Sequence, residues 1–258
     1  MARYFLEVMY NGVLFHGSQV QRALPTVQLA INQSLTTLFR TQIESFGASR
    51  TDEGVHALCN YYHFDTDQEL HDAFLYKMNA ILPQGIAVKK LFKANDPELN
   101  SRFAAITRSY RYRIYSKKDP FLVDRAFYYP YKLDKTVLTE TAAILKEYTH
   151  FESFAKRNSQ AKTFTCNILQ SLWEEKDGEL QYVVTGNRFL RGMVRGLVGT
   201  QIQIARGRFN ISEFRKIIEA NDCTRAYFNV PGHGLYLEDI IYPEGALTEI
   251  KDKKEISV

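Results

Sequence analysis

The sequence has no run long enough and apolar enough to cross a membrane. Its first residues, Ala2 to Asn11, carry Arg3 and Glu7 among alternating apolar residues and read as a strand, not as a secretion signal. Cysteine is scarce: Cys59, Cys166 and Cys223 are far apart and odd in number. That argues against a disulfide framework and fits a reducing compartment. A cytoplasmic location is expected. There is no P-loop, and Gly232-His233-Gly234 lacks the third glycine and the strand–turn–helix setting of a dinucleotide site. No nucleotide cofactor is expected. His56, Cys59 and His63 come near metal-ligand spacing, but on a strand His56 points away from the other two, so no metal is expected either. No short-period repeat, low-complexity stretch or glycine-serine linker interrupts the chain.

What is present is an ordinary globular composition. The chain has 258 residues, of which 45% are hydrophobic, enough for one large domain or two small ones. A net charge of +4 and a pI of about 8.8 say little about partners unless the charge is clustered. Alternation predicts strands over Ala2–Tyr10, Leu58–Phe64, Ile86–Phe92, Ile106–Tyr115 and Leu235–Tyr242. Helices are expected after an N-cap at Thr26 through Phe39, over Asp67–Leu82 up to Pro83, from a cap at Asp134 to about Tyr148, over Phe189–Ala205 and over Ser212–Ala220. Lys176-Asp177-Gly178-Glu179 reads as the turn of a hairpin. The expected fold class is α+β: two similar ferredoxin-like or RRM-like halves meeting near Phe103–Thr107. The N-terminal half would span 1–104 and the C-terminal half 105–245, leaving 246–258 as a loosely held tail.

Three segments carry candidate chemistry. Ser49-Arg50-Thr51-Asp52-Glu53-Gly54-Val55-His56-Ala57 sets an acid inside a tight polar turn before a strand. On spacing alone, a turn aspartate that caps its own backbone is the more ordinary reading of Asp52. Arg108-Ser109-Tyr110-Arg111-Tyr112-Arg113-Ile114-Tyr115 interleaves arginine and tyrosine, with Arg102, Lys117, Lys118 and Arg125 nearby. That pattern suits phosphates and unpaired bases, and it equally suits a solvated edge strand. In the Phe189–Ala205 helix, Gly192, Gly196 and Gly199 form a stripe, with Arg188, Arg191 and Arg195 beside it. Each glycine costs a helix up to about 1 kcal/mol against alanine, so close packing against a second surface is expected there. No acidic residue occurs between Gly186 and Asn210. An arginine forced near packed backbone needs a carboxylate or a phosphate, and Asp52 is a candidate partner for Arg195.

Taken together these segments resemble the TruA family of tRNA pseudouridine synthases. The resemblance runs from Tyr10-Asn11-Gly12 and Phe15-His16-Gly17-Ser18-Gln19 through Arg50-Thr51-Asp52, Gly54-Val55-His56-Ala57, Arg102-Phe103, Tyr110-Arg111-Tyr112 and Met193-Val194-Arg195 to Gly234-Leu235-Tyr236-Leu237. It implies isomerisation of uridine to pseudouridine in the anticodon arm of tRNA, at positions 38 to 40, without a cofactor. It casts Asp52 as the catalytic carboxylate and Tyr110 as the aromatic that stacks on the target base. Arg195 becomes the partner of Asp52, Leu235 an apolar wall of the uracil pocket, and Arg50 the filler of the gap left by the extruded base. The basic strand and helix, with Arg102, Arg108, Arg111, Arg188 and Arg191, would grip phosphates. The resemblance also implies a homodimer whose α+β halves join sheets around a central cleft.

The chain departs from that family at three places. Ser49 stands where glycine is usual, Ser18 where tryptophan is usual, and Glu53 where a small residue is usual. Glu53 would raise the pKa of Asp52 unless it points outward or pairs with a base. Other readings stay open: a synthase acting on another RNA, or a non-catalytic RNA-binding protein on the same scaffold. A glycosidase is disfavoured, because adjacent Asp52 and Glu53 point apart and such chemistry usually needs two facing carboxylates.

Overall fold

The alternation in Ala2–Tyr10 becomes a strand over those same residues in the computed structural model, which describes residues 1–71, 73–157 and 161–251. In chain order the elements are β1 (Ala2–Tyr10), α1 (Val27–Phe39), β2 (Phe46–Gly47), β3 (His56–Thr66), α2 (Ala73–Ile81), β4 (Ile86–Ala94), β5 (Thr107–Tyr115), β6 (Phe127–Tyr128), α3 (Lys135–Ile144), β7 (Ile168–Lys176), β8 (Glu179–Gly186), α4 (Met193–Ala205), α5 (Ile211–Glu219), β9 (Leu235–Ile241) and β10 (Leu247–Glu249). The fold is mixed α+β. Two compact units divide the chain: Met1–Ile106 together with the segment from Leu237 onward, and Thr107–Tyr236.

In the first unit the strands are antiparallel in the order β10-β4-β1-β3, with β2 also paired to β3. Period-two patterning puts Tyr4, Leu6, Val8 and Tyr10 on the same face as Asn60, Tyr62 and Phe64, and all are buried. Helices α1 and α2 supply the other side of this core: Phe39 and Phe74 lie 5.9 and 6.2 Å from Phe64, ring to ring. Thr26 caps α1, its Oγ1 accepting from Leu29 N at 3.4 Å, and Arg40 ends the helix in the left-handed region. Helix α2 starts at Ala73, later than the expected Asp67. Two of the intervening N–H groups are taken outside any helix: Gln68 N donates to the neighbouring Thr66 Oγ1 at 3.1 Å, and Leu70 N to the distant Tyr4 Oη at 3.4 Å. Residues 247–249, within the expected tail, pair with β4, and Ile250 N donates to Leu91 O at 2.8 Å. The remainder of that tail, from residue 252, lies outside the described residues.

In the second unit β5, β8 and β7 are antiparallel neighbours, and β6 runs parallel to β5. The β7–β8 hairpin turns on Asp177 and Gly178, with φ of 54° and 77°, the two positive values that a tight primed turn requires. Asp134 Oδ1 caps α3 by accepting from Thr136 N and Val137 N. The helix ends at Ile144, before the expected Tyr148, and tightens into a 3-10 turn over Leu145–Glu147. Tyr112, Tyr182 and Val184 from the sheet and Leu138, Leu197 and Ile202 from the helices are fully buried. A buried amide, Gln201, is satisfied within this core by Trp173 Nε1 at 2.9 Å, Thr141 Oγ1 at 3.3 Å and Leu197 O at 3.2 Å.

The second face of the first unit's sheet holds His63, 3% exposed, between Phe5 and Phe46. Its Nδ1 is 2.7 Å from Ser101 Oγ. Burial, reinforced by the Arg3 charge, pushes the imidazole down from 6.5 to about 4. An unfolded histidine takes up a proton near pH 6.5 while the native one stays neutral to about 4. Stability is therefore complete above pH 6.5 and falls as pH drops toward 4, by up to about 1.4 kcal/mol per pH unit. Denaturant titrations at pH 7 and pH ~4.5 are expected to show a larger loss for the wild type than for His63→Gln. Equal losses in the two proteins would disprove the assignment.

Candidate active site

The acidic turn is built by backbone clamps from residues far away in sequence. Ser18 N donates to Thr51 O at 3.0 Å, and Thr51 N donates to Ser18 Oγ at 2.8 Å. Thr51 Oγ1 meets Tyr10 Oη at 2.9 Å, and Asn60 Nδ2 donates to that Tyr10 oxygen at 3.2 Å and to Ser49 O at 3.0 Å. Two glycines permit this approach. A Cβ at Gly12 would lie 1.9 Å from Val55 O, and Gly17, at φ +87°, would bring one within 3.0 Å of Thr51 O. Gly12 N also donates to His56 Nδ1 at 3.2 Å, which gives that histidine a structural role. Val55 N closes the turn onto Asp52 O at 3.2 Å, and Gly54 holds a φ of 77°. The Asp52 side chain thus stands half-exposed on a backbone fixed at both ends, with Arg50 and Glu53 exposed beside it.

The departures from the family pattern acquire roles here. Ser18, 2% exposed, is the clamp on Thr51. Ser49 is buried and joined through N and O to Asn60. Glu53 points outward, its side chain 73% exposed and 3.9 Å from His16 Nε2. Cys59, between the two histidines of the near-metal trio, is buried, and burial followed by the Glu7 and Asp239 charges pushes its thiol up to about 12. Within the same unit Arg102 is exposed and its guanidinium lies over the ring of Phe103 at 5.6 Å.

The second unit gathers other expected residues. On β5 the buried face carries Arg108, Tyr110, Tyr112 and Ile114. Tyr110 packs edge-on against Phe189, 5.1 Å between ring centres, and Arg108 donates to Asn187 O at 2.9 Å. Arg111 faces the other way, bonded to Glu174 Oε1 at 2.5 Å and Gln181 Oε1 at 2.6 Å, so the sheet does not bring it together with Tyr110. Arg188 donates to Thr163 Oγ1 at 3.0 Å, and Arg191 is exposed. Helix α4 starts at Met193, after the expected Phe189, because Gly192 adopts a left-handed conformation at its N-cap, with φ of 74°. Phe189 is thereby freed to meet Tyr110.

The glycine stripe faces the segment 227–230. A Cβ at Gly199 would sit 2.0 Å from Tyr227 O, and one at Gly196 2.8 Å from the Phe228 ring. The next stretch of chain is held by hydrogen bonds to its carbonyls. Arg195 Nε donates to Val230 O at 2.9 Å and Tyr112 Oη to Pro231 O at 2.8 Å. Burial pushes the Tyr112 hydroxyl upward, and the nearby Arg195 charge opposes it. Gly234 then passes against the Tyr112 ring, where a Cβ would come within 2.6 Å, and Leu235 follows, 6% exposed, at the start of β9. Phe189 thus packs on Tyr110, and Tyr112 lies against the chain that leads into Leu235. Sequence reading flagged the glycines and Tyr112 but not their partners.

A carboxylate on a clamped turn, with exposed arginines and an aromatic near it in its own unit, is equipment suited to an enzyme that acts on a nucleic-acid base. Comparison with known proteins specifies the class further. A family profile described as tRNA pseudouridine synthase matches residues 147–243. The tRNA pseudouridine synthase A of Parabacteroides distasonis is 41% identical over 246 residues, covering 95% of this chain and 97% of that protein. Those of Bacteroides thetaiotaomicron and Bacillus subtilis are each 35% identical, covering 100% and 91% of this chain and 97% of each relative. The chain belongs to the TruA family of tRNA pseudouridine synthases.

The glycine contacts generate a stability prediction. Gly199→Ala places a methyl group against backbone that cannot yield cheaply, and is expected to lower stability by about 1–3 kcal/mol or more. Gly196→Ala meets only a side-chain ring and should cost less. Thermal melts of the two variants test this, and a Gly199→Ala melt equal to wild type would show that segment 227–230 is not packed on α4.

Proposed function

We propose that this protein isomerises uridine to pseudouridine in the anticodon arm of tRNA, at positions 38 to 40, with Asp52 as the catalytic carboxylate. The observation that carries the reading is the Asp52 turn itself. A half-exposed carboxylate is mounted on backbone pinned by Ser18, Thr51, Tyr10 and Asn60. Identity to tRNA pseudouridine synthase A proteins over nearly the whole chain supports the choice of reaction.

In the proposed reaction the bond from C1′ to N1 breaks, the base turns, and C1′ bonds to C5. The proton on C5 is lost and N1 gains one, so no net redox change or hydrolysis occurs. An ionised carboxylate serves by adding to the sugar or the base, or by stabilising an intermediate charge. Arg195 is proposed as the charge partner of Asp52, Tyr110 as the ring that stacks on the target base, and Leu235 as an apolar wall. Arg50 would fill the gap in the stack, since extruding a base costs a few kcal/mol. Arg102, Arg108, Arg188 and Arg191 are the proposed phosphate contacts. Arg111 would add to them only by leaving Glu174. We further propose that the two units share one βαββαβ plan. The first shows the order β4-β1-β3-β2 and the second β5-β8-β7, which β9 would complete. A homodimer and a cytoplasmic location belong to the same proposal; no helix among the described residues is long and apolar enough to cross a membrane.

Tritium release from tRNA carrying C5-tritiated uridine tests the reaction. Wild type should release tritium, and Asp52→Asn should release none while its tRNA affinity stays within a few-fold. Tenfold weaker binding with turnover unchanged would remove Asp52 from catalysis. Release from other RNAs but not from tRNA would move the substrate. Arg191→Ala should weaken tRNA binding and flatten its salt dependence by about one unit of slope. An unchanged slope would take Arg191 out of the phosphate contacts.

A further inference from the structure

Within the first unit, a cleft of about 190 Å³ opens beside the acidic turn but does not include Asp52. Its walls include Arg50, Arg102, Phe46, Phe103, Gln19 and Tyr62. At that size it is smaller than the roughly 300 Å³ at which sites for drug-sized ligands begin, so it suits a single heterocyclic ring.

The lining is unusual in what it exposes. Phe103 is 79% exposed, and Phe46, which covers His63 with one face, is still 52% exposed. Phe103 is nonetheless presented rigidly. Asn100 Oδ1 accepts from Arg102 N at 2.9 Å and Phe103 N at 3.3 Å, and Ala104 N donates to Asn100 O at 2.9 Å. Ser101, in the middle of that turn, donates its hydroxyl to Phe46 O at 2.8 Å and accepts at its own carbonyl from Tyr242 Oη at 2.6 Å. An exposed aromatic on a turn fastened at this many points has paid its ordering entropy in advance, as a stacking platform should. Arg102 lies over the same ring, and Arg50 stands at the wall, so two guanidinium groups and no carboxylate line the cleft. That charge suits a phosphate-linked ligand. Tyr62, 1% exposed and set under Gly47, closes the inner wall of the cleft.

We propose that this cleft takes a second unpaired base of the RNA, distinct from the uridine that is isomerised, stacked on Phe103 and flanked by Arg102. The proposal rests on the RNA-modifying reading above, and it adds a register-setting contact to it: seating a neighbouring base fixes which uridine reaches Asp52.

A double-mutant cycle tests it, with an anticodon stem-loop RNA in which each unpaired, non-target nucleotide is made abasic in turn. Phe103→Ala is expected to weaken RNA binding about tenfold, and Phe103→Tyr to restore it. At one abasic position the wild type should lose a similar factor, and Phe103→Ala should lose nothing further. If every abasic position costs wild type and Phe103→Ala alike, the cleft holds no base and the proposal is overturned. Tritium release is followed in parallel. Coupling without release would sink the isomerase reading and leave the cleft assignment standing, whereas release without coupling would do the reverse. Absence of RNA binding by the wild type would overturn both. Because Phe103 is exposed, the variants should melt with the wild type; a large fall in melting temperature would mark Phe103 as structural and overturn its role as a platform.

Discussion

Thr51 is gripped on both its N–H and its C=O by Ser18, and the chemistry of the first unit depends on that grip. A short carboxylate side chain can be aimed only as well as the backbone beneath it. Here the backbone has little freedom: Gly12 and Gly17 let the loop after β1 press against the residues on either side of Asp52, while Tyr10 and Asn60 hold Thr51 and Ser49 from the sheet. Preorganisation of this kind moves the cost of ordering from the moment of reaction to the folding of the chain.

The second unit solves a similar problem with glycine and aromatic surfaces. Helix α4 gives up helix propensity at Gly196 and Gly199 and gains contact with the backbone at Tyr227 and the ring of Phe228. Arg195 and Tyr112 then fasten the following carbonyls, those of Val230 and Pro231. Bulk at the glycines would displace the chain that leads to Leu235. Arg195 therefore has a structural duty of its own, in addition to any electrostatic one, and the effect of replacing it must be read with that in mind.

Arginine content alone was a poor guide to which cations are available to a partner. Arg111 and Arg113 carried the basic signal of β5, yet they are bonded to Glu174 and Glu179 across the sheet. Of the arginines singled out as candidate RNA contacts, Arg50, Arg102 and Arg191 are exposed. The distinction lies in pairing of strands, since Glu174 and Glu179 reach β5 only through the β7–β8 hairpin and its register.

Local signals were legible in the residues themselves. The caps at Thr26 and Asp134, the Asp177-Gly178 turn and the alternation of β1 and β5 are decided by neighbours within a few positions, and the elements form where those signals stand. The glycines of α4 also announced a close contact, because a helix interior tolerates them only for a reason. The partner of that contact was not legible, nor was the start of α2, where Tyr4 takes the N–H of Leu70 from 66 residues away. The same holds for the site. Asp52 could be picked out by its turn, but Ser18 and Asn60 look unremarkable along the chain and become its supports only when strands and loops 33 and 11 residues apart close on one another. Periodicity and capping are short-range and written in the sequence, whereas the atoms that meet across a sheet or under a loop are selected by packing, which no local pattern specifies.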